Sequence, residues 1–379
     1  MDMVENMDVT QIAGFGGNHR SVRWVHMVET TEASDFLDGG EIAFITGLGI
    51  NGGATLLDLA KAIQSKNAAG MIVNTGPFIE SVPQEVTDFC NENEFPLFVI
   101  PWRIHLAEVM RIFCFEITKD QQHSAETSAA FENAIFFPEQ EELYIVPLSQ
   151  QGFHADWNYS VCLICLENSA ADLTRRLDQL CVSIDVYIRH KYNKFAAFCH
   201  DDEIIIVAAD YSEEELRELI NDIHSHALRT LANGESITMG CGRLTKSIRC
   251  LNKSYDQARS IQQLQKNGKV DPSLFFFPDM GLYQILMSIE DRNILNEFCG
   301  RTIDDLFRYD EKNNSDLTTV LHSYLTNNGS VKETAAGLYV HRNTINYKLN
   351  KISEILDMDL SSLNNRMKLT VAFMLKDML

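Results

Sequence analysis

The C-terminal end of the chain contains the residues best suited to contact nucleic acid. Ser330, with Glu333 three residues later, predicts a capping box at the start of a helix, and a second helix is predicted from Arg342. Ala335 is small enough to let the two helices cross closely, as in a helix-turn-helix. Basic, amide and hydroxyl side chains, which bind phosphates and base edges, occupy the start and the exposed side of the second helix. The predicted DNA-contacting residues are Ser330, His341, Arg342, Asn343, Thr344, Asn346, Tyr347, Lys348 and Lys351.

Apolar positions in the same segment predict its buried face. Leu338, Val340 and Ile345 surround the predicted turn, and Leu349 and Ile352 continue the face along the second helix. The alternative is a surface helical hairpin whose charges are merely solvated. Because the cap, the small residue, the turn and the polar helix start all have the required spacing, DNA binding is the preferred interpretation.

Charge is distributed unevenly along the chain. The formal net charge of −21 argues against a protein that coats nucleic acid with its whole surface. Residues 317–379 contain seven Lys and Arg against five Asp and Glu, a balance of +2, so residues 1–316 carry −23. We expect the acidic body to repel DNA and to confine contact to the C-terminal segment.

A second candidate site is predicted in the N-terminal third. Apolar runs at 41–46, 70–74 and 95–100 alternate with amphipathic stretches, which predicts a parallel α/β sheet. Ligands bind such sheets beyond the carboxyl ends of the strands, where polar, cationic and aromatic side chains stand in this sequence. The alternative is that these side chains only cap the strands. The candidate effector-binding residues are Thr46, Gly47, Asn74, Thr75, Trp102 and Arg103.

The loop after the first of these strands matches a dinucleotide-binding fingerprint. Gly47-Leu48-Gly49-Ile50-Asn51-Gly52 fits G-x-G-x-x-G. The next strand ends in Asn74-Thr75-Gly76, which lacks the Asp or Glu that would bind a ribose. A flexible βα loop is therefore the preferred interpretation, and no cofactor is expected.

Cysteine usage and hydropathy indicate a cytoplasmic protein. The nine cysteines are odd in number and lie singly in apolar runs, as buried thiols do. Cys162 and Cys165 stand three apart on a predicted strand and face opposite sides, so no metal site is expected. The N-terminus lacks a leader pattern, and no apolar run approaches the eighteen or so residues of a membrane span.

Several segments resemble the PucR-type transcription regulators. Tyr339 to Leu349, which read Tyr-Val-His-Arg-Asn-Thr-Ile-Asn-Tyr-Lys-Leu, resemble that family's C-terminal helix-turn-helix of the Fis kind. Residues 20–117 are similar to its N-terminal sensor domain. Gly240-Cys241-Gly242-Arg243 and Ser254-Tyr255-Asp256-Gln257-Ala258 resemble its degenerate relative of the diguanylate cyclase, or GGDEF, domain.

The chain departs from that family pattern at three positions. Asn346 and Lys348 stand where the family usually carries arginine, which redirects or weakens phosphate and base contacts. Asp357 stands where a glycine often follows the long helix, so a different helix end is expected.

The cyclase resemblance does not extend to activity. His200-Asp201-Asp202-Glu203 falls where an active cyclase has Gly-Gly-Asp-Glu, and the glycines there let the backbone approach a nucleotide. The first strand ends in Leu166-Glu167-Asn168-Ser169, without the metal-binding Asp. We therefore expect no enzymatic activity and no catalytic residues, with Asp202 and Glu203 in a solvated turn.

These observations predict a multidomain protein: an α/β parallel-sheet sensor, an α+β degenerate GGDEF-like middle domain and an all-α helix-turn-helix end. The predicted boundaries are 1–120 for the sensor domain, 121–140 for a linker, 141–270 for the GGDEF-like domain, 271–312 for a helical connector and 313–379 for the DNA-binding domain. The polar residues at 121–130 indicate either a linker or an exposed helix.

The resemblance implies a regulator of catabolic genes. Its partners would be a double-stranded DNA operator and a small-molecule effector of the purine-degradation or sugar-diacid type. A homodimer or higher homo-oligomer is expected, because one helix-turn-helix gains affinity by pairing on a two-fold site, and the apolar helices between Leu274 and Phe307 are candidates for that pairing. The alternatives are a sensor or protein-interaction module without DNA binding, and a nucleotide cyclase-like enzyme.

Overall fold

The computed structural model describes residues 8–18, 20–50, 54–168, 172–189, 191–289 and 291–378, which form two compact units. The first unit contains the described residues of Met1–Trp157, Ala171–Cys199 and Ile206–Ala232. The second contains those of Asn158–Ala170, His200–Ile205 and Asn233–Leu379. None of the helices in these ranges is both long enough and apolar enough to cross a lipid bilayer.

An α/β fold built on a five-stranded sheet forms the N-terminal part of the first unit, as predicted. Its strands are β1 (Thr10–Ala13), β2 (Trp24–Met27), β3 (Glu41–Ile45), β4 (Gly70–Thr75) and β5 (Leu97–Pro101), in the order β1-β5-β4-β3-β2. Strands β2 to β5 are parallel, and β1 is antiparallel to β5. Strands β3 and β4 form because their apolar runs are buried on both faces of the sheet.

Three helices follow the strands of this sheet: α1 (Leu56–Ser65), α2 (Gln84–Glu92) and α3 (Leu106–Phe136). Helix α1 begins with a complete capping box between Thr55 and Asp58. The first turns of α3 cover one face of the sheet, where the Phe113 ring meets Phe44 edge-on. Helix α3 continues to Phe136, so most of the predicted linker segment 121–140 is helical.

The middle segment is α+β, as predicted. Its elements are α4 (Ile145–Gln150), β6 (Tyr159–Glu167), α5 (Leu173–Arg189), β7 (Phe195–His200), β8 (Glu203–Ala209), α6 (Glu213–Thr230), β9 (Ser236–Cys241) and α7 (Leu251–Lys266). The strand order is β7-β8-β6-β9, and β6 and β9 are antiparallel.

The C-terminal part of the second unit is helical. Its helices are α8 (Leu282–Met287), α9 (Arg292–Thr302), α10 (Asp304–Asn313), α11 (Leu317–Thr326), α12 (Val331–Gly337), α13 (Arg342–Leu356) and α14 (Leu363–Met378). Helices α10 to α14 share one apolar core. That core fixes the angle at which α12 and α13 are presented.

Candidate nucleic-acid interface

Helices α12 and α13 form the predicted helix-turn-helix, and most of the predicted buried face is confirmed. Ile345, Leu349 and Ile352 of α13 lie in the same core as Ala335 of α12. The prediction for Val340 is wrong, because 39% of this residue is exposed. The backbone N–H of Val340 donates a hydrogen bond to the carbonyl oxygen of Ala335, which closes the turn. The Val340 side chain then points to solvent.

Two of the predicted contact residues cap helices. The Ser330 hydroxyl accepts a hydrogen bond from the Glu333 N–H at 3.3 Å, so the cap of α12 forms. The Glu333 side chain does not return the second bond of the predicted capping box within the described residues. His341 caps α13, since its Nδ1 accepts from the Asn343 N–H at 3.3 Å. Both side chains therefore help to orient the two helices.

The first turns of α13 present an exposed polar surface. Among the described residues, the side chains there form no hydrogen bond or ion pair, and Tyr347 is 72% exposed. The start of a helix also carries a partial positive charge, which favours phosphate, although the N–H groups of Asn343 and Thr344 already donate to His341. We call this group the recognition surface, and its members are Arg342, Asn343, Thr344, Asn346 and Tyr347.

Both lysines predicted to contact DNA have acidic partners within the chain. Lys348 Nζ lies 2.5 and 2.7 Å from the two carboxylate oxygens of Asp316, which precedes α11. Only 23% of the Lys348 side chain is exposed, so the pair fastens α13 to the start of α11. Lys351 Nζ lies 3.0 Å from Glu354 Oε2, and this hydrogen bond raises the pKa of Lys351. Each lysine would have to leave its carboxylate to bind a phosphate.

Sequence reasoning missed Tyr339, which lies in the turn between α12 and α13. Its φ of +55° is in the left-handed region, which is unfavourable for an aromatic residue, and 96% of the residue is exposed. Packing therefore does not offset the backbone strain, and strain of this kind is concentrated at binding sites. The sequence feature that could have identified Tyr339 is its place in a tight turn between two predicted helices, since such turns require a residue in the left-handed conformation.

The predicted effector residue Thr46 lies at the end of β3, where its polar groups are used within the fold. Its N–H and its hydroxyl donate to Glu29 Oε1 at 2.9 and 2.6 Å, and the Gly47 N–H donates to Glu29 Oε2 at 3.1 Å. Sequence reasoning missed Glu29, because nothing in the local spacing relates it to a residue 17 positions away. The carboxylate of Glu29 therefore closes this strand end.

The other strand ends are also tied by internal contacts. The side chains of Asn74 and Thr75 donate to the Ile100 carbonyl oxygen at 3.5 and 3.3 Å. Arg103 forms an ion pair with Asp8. Trp102 packs edge-on against Phe78 with 5.7 Å between the ring centroids, and 45% of Trp102 is exposed. These contacts resemble strand capping more than a ready binding site.

Two glycines of the fingerprint loop, Gly47 and Gly49, are explained by close packing. A Cβ on Gly49 would lie 2.0 Å from the Glu29 carbonyl oxygen. Gly47 has a φ of +86°, and a Cβ there would lie 2.6 Å from the Ile79 side chain. Asn51 and Gly52, which complete the fingerprint, lie outside the described residues.

The turn at the position of the cyclase motif is only partly solvated. Asp202 is exposed, as predicted, but Glu203 is half-buried. The Tyr255 hydroxyl donates to Glu203 Oε2 at 3.4 Å, and Cys165 Sγ lies 3.7 Å from Glu203 Oε1. The prediction of a solvated Glu203 is therefore wrong, because this carboxylate joins β8 to α7 and β6.

Three parts of the chain match known protein families. Residues 2–117 match the purine catabolism regulatory protein-like family, residues 148–264 the GGDEF-like domain, and residues 317–375 the PucR C-terminal helix-turn-helix domain. The chain thus contains a PucR family domain and a PucR helix-turn-helix domain, which confirms the resemblance and the multidomain fold.

Curated relatives match across parts of the chain. The proline-responsive transcriptional activator PutR of Bacillus subtilis is 29% identical over 185 residues, which are 46% of this chain and 44% of PutR. The DNA-binding transcriptional activator AdeR of the same organism is 23% identical over 60% of this chain and 55% of AdeR. The carbohydrate diacid regulator of Escherichia coli is 30% identical over 33% of this chain and 32% of the relative. The chain thus spans about half the length of the first two relatives.

One solved structure also matches, that of a regulator of polyketide synthase expression from Bifidobacterium adolescentis. The match covers 65% of this chain and 95% of the chain in that structure, and the two are 15% identical in sequence. Its TM-score of 0.30 is too low to indicate a shared overall arrangement.

Proposed function

We propose that this chain, which contains a purine catabolism regulatory protein-like domain, a GGDEF-like domain and a PucR helix-turn-helix domain, is a cytoplasmic transcription regulator. It binds a double-stranded DNA operator through α13 and responds to a small metabolite. The relatives that it resembles are transcription regulators by name, and none of those names describes an enzyme.

The observation that carries this proposal is the recognition surface. Five side chains of DNA-reading types lie exposed at the start of α13 and have no internal partner among the described residues, while the apolar face of the same helix is buried. A structural hairpin would use such side chains in caps and ion pairs, as this chain does at Ser330 and Lys348. Exposed Arg and Asn side chains at a helix start are suited to guanine and adenine edges in the major groove.

Pairing of two copies fits both the motif and the surface of the second unit. A helix-turn-helix dimer reads two half-sites about one DNA turn apart. Large aliphatic residues are exposed on α8 and α9, within the segment predicted to carry pairing: Leu282 is 57% exposed, Ile285 63% and Ile294 58%. In this mechanism, effector binding changes the arrangement of the dimer and so the spacing of its two recognition helices.

Fluorescence anisotropy tests the proposal. The full chain is titrated into a labelled duplex from upstream of its own gene and into a random-sequence duplex, across a salt series. We expect selective binding that weakens steeply as salt rises, because phosphate contacts release counterions. Absence of binding to both duplexes, with and without the metabolite pool of the producing cell, would contradict the proposal and favour a protein-interaction module.

A further inference from the structure

A cavity of about 160 Å³ lies within the first unit. Helix α3, the segment after α4, the end of α5 and the start of β7 form its walls. A cavity of this size holds a ligand of roughly benzene's dimensions. It is distinct from the strand ends of the N-terminal sheet.

Two cations line the cavity and are held in place by aromatic rings. The Arg189 guanidinium lies over the Phe195 ring at 5.5 Å, and Lys194 Nζ lies 4.9 Å from the centroid of the Trp157 ring. Arg189 donates through Nε to Asp185 at 2.6 Å. Its two Nη groups donate to no residue that the structure describes, so they are available to a planar carboxylate.

Acceptors lie in the same cavity. Gln151 Oε1 is shielded from solvent and accepts no hydrogen bond from the described residues, although its amide nitrogen donates to Glu126 at 3.4 Å. A buried acceptor of this kind favours a ligand that brings an N–H group. Asp120, which also lines the cavity, adds a negative charge that favours a cationic donor.

The balance of charge in the cavity favours a ligand with no net charge. Lys194 pairs with Asp210 at 2.5 Å and Arg189 pairs with Asp185, and the charge of Asp120 also acts on Arg189, so both cations are already balanced by carboxylates. Asp120 would repel a dianion. A ligand with one carboxylate and one ammonium group satisfies both the free Nη donors and the acceptors.

We propose that this cavity binds a small zwitterion of the α-amino acid type, with its carboxylate on Arg189 and its ammonium group between Asp120 and Gln151 Oε1. The inference rests on the proposed function in one respect: the zwitterion would be the effector that the regulator senses. Helix α3 joins the N-terminal sheet to the cavity wall, so a ligand here contacts an element shared with the sensor domain.

Isothermal titration calorimetry of the full chain, without DNA, tests the inference. Each common L-amino acid is titrated singly, with acetate and methylammonium as probes that carry only one of the two charges. We expect at least one amino acid to bind with a Kd below about 1 mM and neither single-charge probe to match it. Binding of no amino acid, or equal binding of acetate, would overturn the proposal.

Variants locate the site. Arg189→Ala should weaken amino-acid binding by about tenfold or more, since it removes a charge-assisted bidentate contact. Arg301→Ala is the matched control: Arg301 forms an i,i+4 ion pair with Glu297, as Arg189 does with Asp185, and does not line the cavity. If Arg189→Ala does not fold by circular dichroism, Arg189→Lys replaces it, with a smaller loss expected because the forked donor is absent. An unchanged affinity in the folded variant would contradict the site.

These outcomes separate the two proposals. A chain that binds DNA but no amino acid contradicts only the cavity assignment. A chain that binds an amino acid at Arg189 but no DNA contradicts only the regulator proposal.

Discussion

Arg342 and Lys348 are two basic residues of α13 that differ in exposure and in ion pairing. Lys348 is mostly covered and holds Asp316, whereas Arg342 opens the helix, exposed and without a partner among the described residues. From residue type and spacing alone, both side chains were predicted to contact DNA. Because Lys348 already has a counter-charge, we assign it to orienting α13 and assign Arg342 to direct DNA contact.

Arg342→Ala should weaken operator binding by about 1–3 kcal/mol, the value of one good base or phosphate contact, without unfolding the chain. Anisotropy measured at a single salt concentration, with circular dichroism as the folding check, gives the result. Arg308→Ala is the control, since Arg308 is an exposed arginine of α10 paired with Asp305. Equal affinities for Arg342→Ala and the wild type would mean that the recognition surface is misplaced.

At the scale of elements, the end of α13 shows that an aspartate can take the place of the glycine that often follows such a helix. Asp357 ends α13 with a φ of +49° and a ψ of +44°, the left-handed conformation that glycine adopts without strain. The helix therefore ends in the way that a glycine would end it, contrary to the expectation of a different end. An acidic side chain at this position also lies at the negative end of the helix dipole.

Asp357→Gly should stabilise α13 by about 0.5–1 kcal/mol, because glycine removes the left-handed strain and the unfavourable charge. Hydrogen exchange of the α13 backbone amides at fixed pH measures the change. Asp357→Asn separates the two causes, since it keeps the side-chain shape and removes the charge. Faster exchange in Asp357→Gly would contradict the prediction and show that the aspartate side chain stabilises the end of α13.

The cap of α11 is supplied from another helix. Asp310 of α10 accepts hydrogen bonds from the N–H groups of Leu317 and Thr318 at 3.0 and 2.8 Å. Burial favours a higher pKa for Asp310, but the bonds from Ser315, Thr318 and Leu317 outweigh it, and the pKa is lowered. Asp316, which stands next to α11 in the sequence, makes no side-chain cap because it pairs with Lys348.

Asp310→Ala should destabilise α11 by about 1–2 kcal/mol at neutral pH, the value of a lost helix cap. Since the folded pKa is lowered, the contribution is present above the unfolded value of about 3.9 and is lost as the pH falls below it. Hydrogen exchange of α11 is compared between wild type and variant at neutral pH and in acid. Asp305→Ala, on the surface of α10, is the control, and a difference that does not shrink in acid would contradict the charge-based cap.

The sequence predicted the elements whose signals are local. Strands β3 to β5 were predicted because each is an apolar run, and α13 because its apolar residues repeat at helical spacing. Strands β1 and β2 were not predicted, since each has four residues of mixed exposure. At the candidate sites, the pairs Glu29 with Thr46 and Asp316 with Lys348 join residues distant in sequence, and no periodicity encodes them.

At the scale of the whole molecule, the proposed function depends on the charge of the chain and on the proposed pairing of two copies. The acidic surplus lies in residues 1–316 and opposes approach to DNA, so a single module with a balance of +2 must gain affinity in another way. Joining two helix-turn-helix modules in one dimer raises the affinity for DNA, because binding of the second module becomes intramolecular once the first is bound. The exposed aliphatic side chains on α8 and α9 are the surface that we assign to this joining.

Ile285→Asp should therefore convert the proposed dimer into a monomer and weaken binding to a two-fold operator by about tenfold or more, because the second module is no longer tethered. Light scattering after gel filtration measures the mass, which should fall from twice 43.0 kDa to 43.0 kDa. Val146→Asp is the control, since Val146 is similarly exposed at 59% but lies outside the assigned surface. A dimer that survives Ile285→Asp, or one that dissociates equally in the control, would move the pairing surface away from α8 and α9, and operator affinity would then have to depend on contacts elsewhere in the chain.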